Sequence, residues 1–220
     1  MPRLLFEKTG NAIWMSHLDL MRVIQRSFKR AGLPLVHSRG FNPRPSVSIA
    51  LPLSVGVESR CELLDFDLEG EQIPCQEIKE RLNQALVAGV RVLDVYEGGA
   101  KIGKIAYLDC VVTLEYDQGI SPEGLEGLKA LFHREALPVE KRNKAGVVQD
   151  QDIIPMIRRL EIVQTDDHTV ELQALVCCQN PTLNPMQMVA AIERHSPDLK
   201  PDFAKCRRVE VYDAEEKTFR

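Results

Sequence analysis

The sequence predicts an α+β protein made of two ferredoxin-like (βαββαβ-type) lobes in tandem. Over residues 1–100 the predicted elements follow the order strand, helix, strand, strand, helix, strand, with an extra strand-like piece near 47–53, and a similar order returns over residues 101–220. Along the chain, segments with apolar residues at helical spacing are followed by short segments in which apolar and polar residues strictly alternate. A length of 220 residues leaves room for two lobes of this size. The halves share element order but no evident sequence identity, so a single mixed-sheet α+β domain is the competing architecture.

The first helix is the clearest element of the N-terminal lobe. After a strand at residues 3–8, Ser16 has the position of an N-cap, and Asp19 three residues later makes an acidic variant of the capping box. Apolar residues at helical spacing continue to Ala31, and Gly32 ends the helix where a residue with positive φ is expected. The basic residues of this segment occupy a different face from the apolar ones.

The remaining elements follow from the same two patterns and from turn residues. The rest of the first lobe is predicted as strands at 35–37, 47–53, 60–68 and 90–96 and a helix that begins at Pro74. The second lobe is predicted as strands at 107–116, 157–163, 169–177 and 208–212, helices that begin at 121–123 and 184–185, and an irregular basic segment at 140–146. The break between the lobes is expected near residues 98–106.

Composition narrows the class of protein. The chain is 44% hydrophobic and 27% charged, which is typical of a globular protein. No apolar run approaches the roughly 20 residues that a membrane-spanning helix needs, and no signal-peptide pattern is present. We therefore expect a cytoplasmic protein without a membrane partner.

The six cysteines do not have the spacing of a metal site. There is no C-x-x-C pair and no nearby histidine cluster, whereas zinc and iron–sulfur centres need ligands that converge from a short loop or two. We expect buried structural thiols, no metal ligands and no cofactor on this chain. The cysteines are Cys61, Cys75, Cys110, Cys177, Cys178 and Cys206.

Positive charge is concentrated at the beginning of the chain. The whole chain carries a net charge of −4, but residues 1–50 hold eight Lys or Arg and two acids, a local net charge of +6. A local cationic patch attracts an anionic ligand even when the whole molecule is acidic. The segment therefore predicts an anion-binding surface, with a solvated cationic face as the alternative.

A proline-stiffened loop follows the basic helix. Two prolines restrict the segment from His37 to Pro45, and a restricted loop loses less entropy when it binds a ligand. Arginine guanidinium groups suit phosphates and an aromatic ring can stack on a base. The candidate RNA- or substrate-binding residues are Arg39, Phe41, Asn42 and Arg44 of this loop and Arg22 and Arg26 of the helix.

Three weaker candidates remain. Glu62, Asp65 and Asp67 of an acidic strand could bind a divalent ion, although solvated acids explain them more simply. His17 and Asp19 could perform acid–base chemistry, although capping of the helix is the favoured explanation of Asp19. Lys141, Arg142 and Lys144 could form a second anion-binding segment, although a charge run of this length is typical of a solvated loop.

Several short motifs in residues 14–67 resemble the radical-SAM-linked domain of unknown function found in bacteria. The resemblance implies a radical SAM partner that holds the iron–sulfur cluster and S-adenosylmethionine. That family has no agreed reaction, so the resemblance implies no mechanism. Arg44 stands where that family often has His, which leaves an anion-binding role open and speaks against proton transfer at this position. The motifs are Ser16-His17-Leu18-Asp19, Arg30-Ala31 with Pro34, Gly40-Phe41-Asn42-Pro43-Arg44-Pro45, Leu51-Pro52-Leu53 with Gly56, and Glu62 with Asp65.

These observations predict an accessory protein that presents RNA or another anionic substrate to a radical SAM enzyme. Two alternatives stay open at this point. The chain could be a self-sufficient RNA-modifying or RNA-processing enzyme that uses His17 and Asp19, or it could be a protein-interaction module.

Overall fold

The computed structural model describes residues 1–142 and 146–220. Within these ranges the chain forms α-helices and antiparallel strands, so the predicted α+β class is confirmed. The helices are α1 (His17–Arg30), α2 (Cys75–Ala85), α3 (Pro122–Phe132) and α4 (Met186–His195). The strands are β1 (Pro2–Lys8), β2 (Val47–Ile49), β3 (Val57–Phe66), β4 (Val90–Glu97), β5 (Tyr107–Glu115), β6 (Pro138–Arg142), β7 (Val148–Asp152), β8 (Ile157–Asp166), β9 (Thr169–Cys177) and β10 (Phe203–Tyr212). None of these described helices is both long and apolar enough to cross a membrane.

The chain divides into two compact units. The N-terminal unit comprises Met1–Lys104 together with Phe219–Arg220, and the C-terminal unit comprises Ile105–Thr218. In the N-terminal unit the strands lie in the order β4-β1-β3-β2, and each neighbouring pair is antiparallel. Helices α1 and α2 connect strands of this sheet, and α2 contacts both α1 and β4.

The core of the N-terminal unit forms where the apolar face of α1 meets the sheet. Leu20, Ile24 and Phe28 recur at helical spacing, and all three are buried. Phe28 packs on Phe66 of β3 with their ring centroids 5.0 Å apart. Because this face is fully used for packing, the charged residues of α1 lie on its other faces.

In the C-terminal unit the strands lie in the order β10-β5-β9-β8, and each neighbouring pair is antiparallel. Its core draws on alternate residues of β5 and β9 and on the inner faces of α3 and α4. Strands β6 and β7 form a separate two-stranded hairpin. The predicted irregular segment at 140–146 is thereby corrected at residues 140–142, which lie in β6, while residues 143–145 lie outside the described residues. Basic side chains on an exposed strand weaken the apolar–polar alternation that would have indicated β6.

Two helices begin as the sequence predicts. The Ser16 side chain accepts a hydrogen bond from the Asp19 N–H, and the Ser121 side chain accepts one from the Gly124 N–H. Each hydroxyl satisfies a backbone donor that has no partner inside the helix. Both N-caps are therefore confirmed.

Some strand predictions had the wrong length. The predicted strand at 47–53 ends at Ile49, and the predicted strand at 35–37 is reduced to isolated bridges at Leu35 and His37. The strand predicted at 208–212 instead begins at Phe203. Strand length depends on the partner strand, which lies far away in the sequence.

Candidate functional site: a basic helix, a proline loop and a cavity

The Asp19 side chain, in the first turn of α1, is engaged in two hydrogen bonds. Its carboxylate accepts a 2.7 Å hydrogen bond from the Ser16 hydroxyl and a 3.0 Å hydrogen bond from Arg22 Nη1. These two contacts, the Ser16 hydroxyl first, lower the pKa of Asp19 below its ordinary value. The carboxylate is therefore held by the N-cap hydroxyl and by Arg22, and it is poorly suited to accept a proton near neutral pH.

His17 is the first residue of α1. Its Nδ1 atom is buried and has no hydrogen-bond partner among the described residues, while the side chain as a whole is partly exposed. Asp19 is bonded to Ser16 and Arg22 and not to His17, so the two residues of the predicted acid–base pair do not act on each other.

The basic residues of α1 divide into exposed and internally bonded groups. Arg26 and Lys29 are exposed, and neither forms an ion pair with a described carboxylate. Arg30 instead donates hydrogen bonds to the Ser27 hydroxyl and the Ala85 carbonyl, which attaches α1 to the end of α2. Together with the Asp19–Arg22 pair, these contacts leave Arg26 and Lys29 as the available cations of this helix.

The proline loop, residues 37–45, is closed at its base by backbone contacts. His37 and Pro45 form an isolated antiparallel bridge, and the Ser38 N–H donates to the Arg44 carbonyl at 2.8 Å. The Arg44 N–H returns a 3.0 Å hydrogen bond to the Ser38 hydroxyl. Gly40 has a φ of +138°, a conformation that side-chain-bearing residues rarely adopt. The closure holds the two ends of the loop together and directs its middle to solvent.

All four predicted binding residues of this loop are exposed. Phe41 is 100% exposed, so its ring takes no part in the core. Arg39 and Arg44 form no ion pair with any carboxylate in the described part of the chain, and Asn42 lies between them in the exposed stretch. A fully exposed aromatic ring flanked by unpaired arginines is unusual for a side chain with only a structural role.

A cavity of about 550 Å³ lies where α1 meets the base of the proline loop. The charged and polar residues at this cavity are Gln25, Arg26, Lys29, His37 and Glu69, and His37 Nδ1 lies 3.9 Å from Glu69 Oε1. The apolar lining comes from Phe28, Leu33, Pro34, Leu35 and Pro45. The structure thus places Arg26 beside the loop base, while Arg39, Phe41, Asn42 and Arg44 lie outside the lining of the cavity.

The second predicted basic segment lies in the C-terminal unit. Lys141 is half-buried on β6 and donates a 3.2 Å hydrogen bond to the Thr182 carbonyl, whereas Arg142 is exposed. Lys144 lies outside the described residues. Lys141 therefore has a partner within its own unit, whereas Arg142 forms no ion pair with a carboxylate of the described residues.

Sequence reasoning missed two buried polar groups in the N-terminal unit. Lys8 is fully buried on β1, and its Nζ donates to the Met15 carbonyl just before α1. Glu62, which the sequence suggested as a solvated acid, is buried and accepts a 2.7 Å hydrogen bond from Ser59. The alternation along β1 could have indicated that Lys8 is buried, because Leu4, Phe6 and Lys8 lie on the same face of the strand.

Arg3 is the other buried ion. Its guanidinium makes a bidentate contact with Asp65, with Nε–Oδ1 at 2.6 Å and Nη2–Oδ2 at 3.1 Å, and it donates to the Ala100 carbonyl. The Asp65 hydrogen bond, with a smaller contribution from its charge, raises the pKa of Arg3. Asp65 is thereby engaged within the chain and is not a free carboxylate for a divalent ion.

Comparison with known proteins places these features in a family. A family model described as an uncharacterized protein conserved in bacteria, DUF2344, matches residues 2–185. The chain belongs to the DUF2344 family. This match covers all the motifs of the N-terminal unit, and it leaves the radical SAM linkage as a prediction. No curated protein matched the chain.

Solved structures give only distant similarity. A Cbf5-Nop10-Gar1 complex matches with a TM-score of 0.49 and 11% identity over 96% of this chain and 48% of that chain. An archaeal box H/ACA sRNP Nop10-Cbf5 complex matches with a TM-score of 0.46 and 9% identity over 94% and 46%. An unknown protein from Galdieria sulphuraria matches with a TM-score of 0.27 and 11% identity over 94% and 97%. The chain spans about half the length of the first two.

Proposed function

We propose that this DUF2344 protein is an accessory protein that binds RNA, or a comparable anionic substrate, and presents it to a radical SAM partner. The observation that supports binding is the set of unpaired cations around an exposed ring. In the described part of the chain, Arg26, Arg39 and Arg44 have no carboxylate partner, and Phe41 is fully exposed between the two loop arginines.

The chemistry of the proline loop suits single-stranded RNA. Guanidinium groups bind phosphate oxygens with two parallel hydrogen bonds. An exposed aromatic ring stacks on a base of any identity, which contributes about 1–3 kcal/mol per base in single-strand-binding proteins. Closure of the loop by the Ser38–Arg44 contacts limits the entropy that binding would cost.

The radical SAM partner is inferred from the resemblance of the N-terminal motifs, since that family accompanies radical SAM proteins. The iron–sulfur cluster and S-adenosylmethionine then belong to the partner. In agreement with this, Cys61, Cys110, Cys178 and Cys206 are buried in the present chain, and burial raises the pKa of Cys178 to about 12 and that of Cys206 to about 11. Buried thiols of this kind behave as structural apolar groups.

The alternative of a self-sufficient RNA-acting enzyme has less support. It needs Asp19 as a free carboxylate beside His17, but Asp19 is bonded to Ser16 and Arg22. A protein-interaction module would need an acidic peptide bound to the same two loop arginines, and this hypothesis assigns no specific role to the Phe41 ring. Substrate presentation uses both loop arginines and the exposed ring of Phe41.

We also propose that both units are variants of the ferredoxin-like arrangement. In the N-terminal unit β1 lies between β4 and β3, in the C-terminal unit β5 lies between β10 and β9, and each unit has two helices. A very short β2 and the added β6–β7 hairpin are the departures from the regular pattern. An experimental structure that paired these strands in another order would contradict the assignment.

RNA binding is tested by titrating the purified protein with bulk tRNA at 50 mM and 200 mM salt. We expect weaker binding at the higher salt, because each phosphate contact with single-stranded RNA contributes about 0.7 to the slope of log K against log salt. Replacing Arg39 and Arg44 by Ala should reduce both the affinity and the slope. Arg91→Ala, which removes an exposed cation from β4, is the matched control and should change neither.

Undetectable binding at both salt concentrations would contradict the RNA proposal. A loss in Arg91→Ala about half as large as that in the double variant would show that net charge alone is responsible. The partner is tested separately by co-purification with a radical SAM protein from the same genome, with and without tRNA. Retention that survives ribonuclease treatment supports direct docking, and no retention in either condition contradicts it.

A further inference from the structure

The cavity at the base of the proline loop carries opposite charges that do not neutralise each other. Arg26 and Lys29 reach it from α1, and neither forms an ion pair within the described residues. Glu69 instead lies 3.9 Å from His37. The cavity therefore offers a cationic region for an anion and a separate carboxylate that accepts hydrogen bonds.

The walls between these groups are apolar. Leucine, proline and phenylalanine side chains line a space of about 550 Å³, within the range of roughly 300–1,000 Å³ typical of small-ligand pockets. A flat heteroaromatic ring suits such walls because its faces are apolar while its edge carries N–H donors. A ligand that fits the whole cavity needs an apolar ring, N–H groups on the ring edge and an attached anion.

We infer that this cavity binds a single nucleotide unit, with the base between the apolar walls and the phosphate near Arg26 and Lys29. The N–H groups of the base then donate to Glu69. This inference deepens the proposed function, on which it rests, by assigning one nucleotide of the bound RNA to the cavity while neighbouring nucleotides contact the proline loop. The cavity supplies selection of a base, and the exposed loop supplies sequence-independent affinity.

Other small anions match the cavity less well. Inorganic phosphate would use the two cations and leave the apolar walls in contact with water. An alkyl carboxylate would cover the walls but offers Glu69 no N–H donor. A nucleotide satisfies the cations, the walls and the carboxylate together.

The test is a calorimetric titration of the full chain with AMP, adenosine, inorganic phosphate and octanoate. We expect AMP to bind at least tenfold more tightly than each of the other three. Lys29→Gln should weaken AMP at least threefold and leave the weaker binding of adenosine unchanged, because adenosine carries no phosphate.

A variant that fills the cavity gives the second readout. Gln25 lines the cavity from α1, so Gln25→Trp should reduce AMP affinity at least tenfold. Gln84→Trp places the same side chain on the exposed face of α2 and should have no effect. Circular dichroism of both variants establishes that α1 and α2 remain folded, and the Lys29→Gln result stands if Gln25→Trp does not fold.

AMP binding no tighter than phosphate or octanoate would overturn the inference, as would full AMP affinity in a folded Gln25→Trp variant. The two proposals fail in different ways. If tRNA binds through Arg39 and Arg44 but AMP does not bind, the nucleotide site is wrong and RNA binding stands. If AMP binds in the cavity but tRNA does not bind at any salt concentration, the proposed function is wrong and the nucleotide site stands.

Discussion

Individual charged residues of this chain differ sharply in what they do, and burial decides the difference. Arg3 is almost fully buried and held by Asp65, whereas Arg26 lies in solvent without a described partner. Removing the partner of a buried charge is costly because the remaining ion keeps neither its counter-ion nor its water. Removing an exposed charge mainly changes what the surface attracts.

Asp65→Ala should destabilise the N-terminal unit by about 3–5 kcal/mol, since it leaves the buried Arg3 guanidinium without its bidentate partner. Urea unfolding followed by circular dichroism measures the change in the free energy of unfolding. Arg22→Ala breaks an exposed ion pair and serves as the control, with a much smaller expected loss. Similar losses in the two variants would contradict the burial argument.

The charge of Asp19 should stabilise α1 in a pH-dependent way. The hydrogen bonds from Ser16 and Arg22 lower the pKa of Asp19 from its ordinary value of 3.8. A group whose pKa is lower in the folded state contributes stability above its unfolded pKa and loses it as the pH falls through the folded pKa. The difference in unfolding free energy between the natural protein and Asp19→Asn should therefore be present at pH 7 and shrink below pH 3.8. A difference that grows as the pH is lowered would refute this prediction.

At the scale of elements, α1 and the proline loop each depend on one local feature. The N-cap hydroxyl of Ser16 satisfies the Asp19 N–H, which has no partner inside the helix. Gly40 allows the loop a φ of +138°. Neither feature takes part in the hydrophobic core, so each can be changed without opening a cavity.

Gly40→Ala should weaken RNA binding and strain the proline loop, while the hydrophobic core stays intact. The Cβ atom would meet no atom within 4 Å, so the penalty comes from the backbone conformation and shifts the loop away from its present shape. Gly99→Ala is a matched control, because Gly99 has open space and no positive φ. The tRNA affinity and the midpoint of thermal unfolding are measured for both; unchanged affinity in Gly40→Ala would show that the loop conformation is not needed.

At the scale of the whole molecule, an acidic protein with net charge −4 carries a cationic segment of +6. The fold keeps part of that charge available, because Arg26, Lys29, Arg39 and Arg44 remain exposed while Lys8 and Arg3 are buried. The effective cationic surface is thus smaller than the sequence total, and it is concentrated on α1 and the proline loop.

The buried thiols give a test of the folded chain as a whole. Burial raises the pKa of Cys178 to about 12 and that of Cys206 to about 11, and thiolate is the reactive form. With a thiol reagent at pH 8, we expect little reaction at these two cysteines in the native protein and complete reaction in urea. Peptide mapping identifies the labelled sites, and rapid native labelling of Cys178 or Cys206 would contradict the described burial.

The local features were predictable and the tertiary ones were not. The N-cap at Ser16 and the apolar face of α1 follow from spacing within a few residues, and so does the exposed, proline-restricted loop. The hairpin of β6 and β7 was missed because exposed strands with basic side chains lack a clear alternation. Glu62 was expected in solvent because its neighbours are acidic, whereas the fold buries it beside Ser59.

The sequence by itself determined the α+β class, the position of the basic helix and the composition of the proline loop, because these depend on neighbours close along the chain. Only the tertiary structure decided which charges are free. Arg30 is bonded to the carbonyl of Ala85 and Arg3 to Asp65, partners 55 and 62 positions away. It also decided that Arg26 and Lys29 share a cavity with His37 and Glu69, since contacts between distant segments arise from packing and leave no local pattern in the sequence.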